Sequence, residues 1–164
     1  MLYLKNLKSL KLDHRLKQLE VILGWLKQAP PHHNDSAGAF FHAEVLWHKA
    51  STLRIIAPEK NAKQVSLILN DAIKKLGPFV TGSIKSKKAL LSADAYFLAC
   101  AMLWENSQKD QAVPWLSSFS LLYPRSSYTE DSYQLLADHA FDKGRFKTAV
   151  HWYRLLAAQA PPAK

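Results

Sequence analysis

Slid against itself by 37 residues, the C-terminal part of the chain pairs Tyr96 with Tyr133, Ala112 with Ala149, and Pro124 with Pro161. The same offset pairs Leu116 with Tyr153 and Phe119 with Leu156. Self-similarity at one fixed spacing of this size is the mark of stacked supersecondary units, each unable to bury its apolar face alone. Within the second copy, Ala149, Tyr153, Leu156 and Ala160 fall on one helical face, and Tyr133, Leu136, Ala137 and Ala140 fall on another, with Gly144 at the turn between them. Small residues at Ala137 and Ala149 let two helices approach, and larger ones fill the space around them. The sequence therefore predicts two helical hairpins, 93–124 and 130–161.

The rest of the chain reads in the same way. Pro30-Pro31, Gly38, Pro58, Gly77-Pro78, Gly82, Pro124, Gly144 and Pro161-Pro162 punctuate apolar-periodic stretches of helical length, and no alternating stretch is long enough for a strand. The expected helices lie near 14–28, 39–56, 60–76, 89–106, 109–122, 128–143 and 145–160. Only 5 of 164 residues are Gly, which favours helices over turn-rich sheets. The expected architecture is all-α: one domain over 1–164, with an N-terminal helical extension and loop over 1–38, a degenerate hairpin over 39–76 and the two hairpins above. The connection 77–88 is expected to pack Phe79, Val80 and Ile84 down while Lys85, Lys87 and Lys88 stay in water.

The pattern Tyr133, Leu136, Ala137, Ala140, Gly144, Phe146, Ala149, Tyr153, Pro161 resembles the tetratricopeptide repeat, with its large-then-small first helix, glycine-bearing turn and alanine-aromatic-proline second helix. The segment YPRSSYTEDSYQLLADHAFDKGRFKTAVHWYRLLAAQAP is further similar to the longer repeats of bacterial envelope proteins, such as outer-membrane-assembly and Tol-Pal-associated lipoproteins. The first copy departs from the pattern, with Cys100, Leu103 and Ser107 where it has Gly or Ala, an aromatic residue and the turn glycine. The resemblance implies a right-handed α-α superhelix whose first helices line a groove for a segment of another protein. Carried over position by position, that groove is Asp94, Phe97, Ala101, Trp104 and Glu105 in one copy, and Asp131, Gln134, Asp138, Phe141 and Asp142 in the next. Each set shares one helical stripe, and its aromatic and acidic chemistry suits a basic, apolar segment.

Catalytic motifs are absent from the sequence. It has no Gly-rich phosphate loop, no GxSxG elbow and no pair of His at i, i+4. Cys100 is the single cysteine, so no intrachain disulfide or multi-cysteine metal cluster can form, and its small-residue position reads as core. His32-His33 with Asp35, and His42, Glu44 and His48, give no specific metal geometry; Glu44 and His48 read as a surface pair. Tyr96, Trp115, Phe119, Tyr133, Phe146 and Tyr153 coincide with repeat packing positions and are expected in the core. The chain is thus expected to be a non-enzymatic adaptor, scaffold or assembly factor without metal or cofactor. A tetratricopeptide secretion chaperone of the cytoplasm is the rival within that class. Solenoids finish with a polar cap, whereas the last helix carries Val150 and Ala157 on the flank a next repeat would cover, which points to a fragment, a partner or homo-oligomerisation there.

Charge is uneven. Residues 1–92 hold 15 Lys and Arg against 6 Asp and Glu, and residues 93–164 hold 7 against 7. The basic residues Lys5, Lys8, Lys11, Arg15, Lys85, Lys87 and Lys88 could meet an acidic surface, and nucleic-acid binding is the rival of another class. It is disfavoured because the aromatics concentrate in the neutral half. Leu4, Leu7 and Leu10 step along one arc and Lys5, Lys8 and Lys11 along another, but Leu12, Leu16 and Leu19 change phase, so a break is expected at 11–14 with Asp13 as N-cap. Membrane-surface contact by that segment is weak, and no apolar run reaches the roughly 18 residues of a spanning helix. Location follows the ends of the chain: cytoplasmic if it is full length, periplasmic or envelope if a leader was removed.

Overall fold

The computed structural model describes residues 10–28 and 35–159. It is all-α, with seven helices and no strand among the described residues: α1 Leu12–Gln28, α2 Ser36–Ile56, α3 Pro58–Ser86, α4 Ala93–Glu105, α5 Lys109–Leu122, α6 Thr129–Asp142 and α7 Phe146–Gln159. The chain divides into two compact units, residues 1–79 and 80–164, with the division inside α3.

In the first unit α1 packs on α2. Helix α1 starts at Leu12, within the stretch where a break is expected, so Asp13 is a first-turn residue rather than the cap. A carboxylate there still favours the positive end of the helix dipole. Lys5 and Lys8, with the rest of residues 1–9, lie outside the described residues, as do His32 and His33. Leu19, Ile22 and Leu23 of α1 are buried with Ala39, Ala43, Leu46, Ala50 and Leu53 of α2. Asp35 caps α2, its Oδ1 accepting the Gly38 N–H at 2.7 Å. The turn into α3 is a single non-helical residue, Ala57, and Asn61 Nδ2 donates to the Leu53 carbonyl at 2.8 Å across it.

Helix α3 corrects the expected connection at 77–88: Gly77-Pro78 do not end the helix, which runs on to Ser86. The buried stripe Val65, Leu69, Ala72, Leu76, Val80, Ser83 keeps helical spacing straight through the proline. Proline inside a helix costs about 3 kcal/mol. Burial of Leu76 and Val80, each worth about 1.5–3 kcal/mol, offsets that cost. The helix stops where Lys87 takes φ 54°. After the turn, the Leu90 N–H donates to Ser83 Oγ at 3.0 Å. Leu90 also closes over Gly82, where an added Cβ would meet Leu90 Cδ1 at 2.8 Å.

In the second unit α4 packs on α5, α5 on α6, and α6 on α7. Ser92 caps α4 by accepting the Ala95 N–H at 3.2 Å. The two hairpins coincide in detail at the 37-residue offset: α5 begins at Lys109 and α7 at Phe146, and they end at Leu122 and Gln159. Their turns repeat the same backbone bonds. Gln108 N–H reaches the Leu103 carbonyl at 2.9 Å, and Arg145 N–H reaches that of Ala140 at 2.8 Å. Ser107 N–H reaches the Trp104 carbonyl at 3.1 Å, and Gly144 N–H reaches that of Phe141 at 2.9 Å. This is a left-handed C-terminal cap, with φ 60° at Ser107 and 70° at Gly144. Between α4 and α5 the core is aromatic: Phe119 lies 5.7 Å from the ring of Tyr96 and 5.0 Å from that of Tyr123. Tyr123 anchors the cluster by donating to the Leu91 carbonyl at 2.7 Å.

Candidate functional site

Of the stripe predicted on α4 and α6, the two α4 aromatics are half-buried against other residues of the same unit. Phe97 is half-buried and stacks on Tyr128 at 4.6 Å with the rings 10° from parallel. Its other neighbour is Phe119, 5.6 Å away. Trp104 meets the His139 ring edge-on at 5.7 Å and carries Lys109 Nζ 5.1 Å above its own ring. Phe97 and Trp104 thus have aromatic and cationic partners within the unit, and each keeps part of its surface open. Asp94, at the start of α4, is exposed beside the Tyr128 phenol, whose pKa it raises. Ala101 is half-buried and Glu105 exposed.

The α6 half is open and is completed by α7. Gln134 Nε2 donates to both oxygens of Asp138, at 2.8 and 2.9 Å. Tyr153 donates its hydroxyl to Asp138 Oδ1 at 2.6 Å. That hydrogen bond raises the Tyr153 pKa, since a phenolate there would lose the bond and face a carboxylate. Asp131 and Asp142 are exposed on the same helix. Phe141, 56% exposed, meets Phe146, 60% exposed, edge-on at 5.5 Å. On α7, Phe146, Val150 and Tyr153 recur at i, i+4, i+7 and stay open to solvent, and Ala157 extends the row.

Phe146 and Tyr153 depart from the expected core positions. Among the described residues helix α7 packs chiefly on α6, and Ala149 is its buried residue. The periodicity of α7 correctly marks an apolar arc beside Ala149, but a period cannot say whether a second neighbour arrives to cover it. Trp152, half-buried, stacks on Tyr133 at 5.9 Å.

A second constellation, absent from the sequence expectations, joins α5 to α6. The buried His139 sets Nε2 3.1 Å from Asp110 Oδ1, and Lys143 Nζ lies 3.5 Å from Asp110 Oδ2. The His139 hydrogen bond, then the Lys143 charge, hold the Asp110 carboxyl below the usual carboxylate range. The spacing of 29 residues between Asp110 and His139 carries no local signal, which is why the pair escapes sequence inspection.

Cys100 is fully buried, and burial pushes its thiol pKa up, the opposite of an activated nucleophile. Among the described residues no group of three His, Cys, Asp or Glu could hold a metal ion. Glu44 and His48 are both half-buried on α2, and the His48 ring lies 5.3 Å from that of Trp47. Of the basic residues, Lys11 is exposed and Arg15 half-buried in the first unit, while Lys85, Lys87 and Lys88 are exposed in the second. No helix among the described residues is long and apolar enough to cross a membrane.

Neither family models, curated proteins nor solved structures yield a match to this chain. Function has to be argued from the chemistry of the α6–α7 surface, where an aromatic row lies beside a line of carboxylates.

Proposed function

We propose that the chain is a non-enzymatic protein-binding module, an adaptor, scaffold or assembly factor, that captures a basic and apolar segment of a partner on the α6–α7 hairpin. The tetratricopeptide resemblance of 130–161 motivates this reading, and the observation that carries it is the exposed pair Phe141 and Phe146 beside Asp138 and Asp142. Contiguous apolar surface of this kind, rimmed by charge, fits a protein-interaction site. Phe141, Phe146 and Tyr153 would supply the anchors. Asp131, Asp138 and Asp142, with Gln134 holding Asp138 in place, would set polarity and register against Lys or Arg side chains of the partner. No covalent step is involved.

Selection from a random peptide display library tests this directly. The expected outcome is enrichment of peptides combining Lys or Arg with aliphatic or aromatic residues, and loss of that enrichment in the Phe141→Ser, Phe146→Ser variant. No enrichment over the starting library, or the same peptides retained by the variant, would remove the proposal.

A further inference from the structure

The first unit contains a pocket of about 280 Å³ whose lining has nothing to do with the aromatic row of the second. It is formed by Gly38, Ala39 and His42 from the start of α2, and by Lys74, Lys75, Pro78 and Phe79 from α3. We propose that it binds a small phosphate monoester.

Three features of the pocket point to that class. The first is charge: Lys74, Lys75 and His42 line one small space beside the start of the 21-residue helix α2. The Asp35 carboxylate already takes the Gly38 N–H and offsets the positive end of that helix, so the partners of an anion in the pocket are the side chains. The second is the backbone. Pro78 has no N–H, so the Lys74 carbonyl four residues earlier loses its usual helical donor at the pocket wall. A ligand with a proton to give suits that oxygen, and a phosphate monoester has one as P–OH or on its organic body, whereas a bare carboxylate has none. The third is shape. At about 280 Å³ the space falls just under the range of drug-sized sites, enough for a phosphate with a small organic body against Pro78 and Phe79.

His42 makes the site readable. Its pKa is lowered first by burial, then by Lys75, with Lys27 acting in the same sense and Asp71 opposing. Lys74 faces the same space. A phosphate monoester monoanion placed among these groups offsets the lysine charges and favours the imidazolium, so binding raises the His42 pKa, and protons are taken up as the ester binds.

The test uses the full chain and phenyl phosphate, with inorganic phosphate as a second probe, at constant ionic strength. The His42 ring resonance, assigned with His42→Gln, is followed by NMR across pH. Saturable shifts are expected with both probes, with the His42 titration midpoint moving up by about one unit at saturation. Lys74→Gln, Lys75→Gln should weaken binding by about tenfold or more, with the circular dichroism and melting curve retained; the single variant Lys74→Gln, at an exposed position, should weaken it in the same direction. No saturable shift, equal affinity in the double variant, or a response to phosphatidic-acid vesicles without one to the soluble esters would overturn the proposal. None of these results bears on peptide capture by the second unit, so the two proposals can fail separately.

Discussion

Ser107 and Gly144 occupy the same place in the two hairpins, yet only one of them is a glycine. Both sit in the left-handed region, at φ 60° and 70°, and both close the same pair of backbone bonds. For an L-residue other than Gly this conformation costs about 1–2 kcal/mol. Replacing Ser107 by Gly removes that cost from the folded state and adds freedom to the unfolded chain, worth about 0.4–1 kcal/mol in the opposite sense. The net expectation for Ser107→Gly is a gain of about 0.5–1 kcal/mol. Gly144→Ala should lose about 1 kcal/mol, and the loss is purely conformational, because no atom lies within 4 Å of a Cβ added there. Urea unfolding followed by Trp fluorescence reads both. With m near 2 kcal/mol/M, Ser107→Gly raises the midpoint by about 0.25–0.5 M and Gly144→Ala lowers it by about 0.5 M, with m unchanged. A lower midpoint for Ser107→Gly, or no change for Gly144→Ala, would refute the assignment of equivalent capping roles.

Phe119→Ala removes a fully buried ring at the centre of the Tyr96, Phe97 and Tyr123 cluster, and should destabilise by about 3–5 kcal/mol in the same assay. Asp110 is held below its ordinary pKa of 3.8 in the folded state, so its contribution to stability is present above that value and disappears as pH falls through the folded pKa. Asp110→Asn should therefore be less stable than the parent at pH 7, with the gap closing in strong acid, as measured by unfolding at each pH. Cys100 should react with a thiol reagent only as fast as the fold opens, so its labelling rate should rise with urea.

Helix type, most helix positions and the 37-residue register are legible in the sequence, because local period and punctuation are properties of neighbouring residues. The sequence also marks Ala112, Phe119, Tyr133 and Ala149 as core, since packing on the adjacent helix is encoded in the same period. Features that depend on distant residues emerge only from packing. Helix α3 passes Gly77-Pro78 because the burial of Leu76, Val80 and Ser83 outweighs the local penalty. Phe97 and Trp104, placed in a groove from the sequence, are half-buried against Tyr128 and His139, while Phe146 and Tyr153, placed in the core, stay exposed beside Phe141 and Asp138. A helix period reveals which residues share a face; whether another helix arrives to cover that face depends on chain far away in sequence.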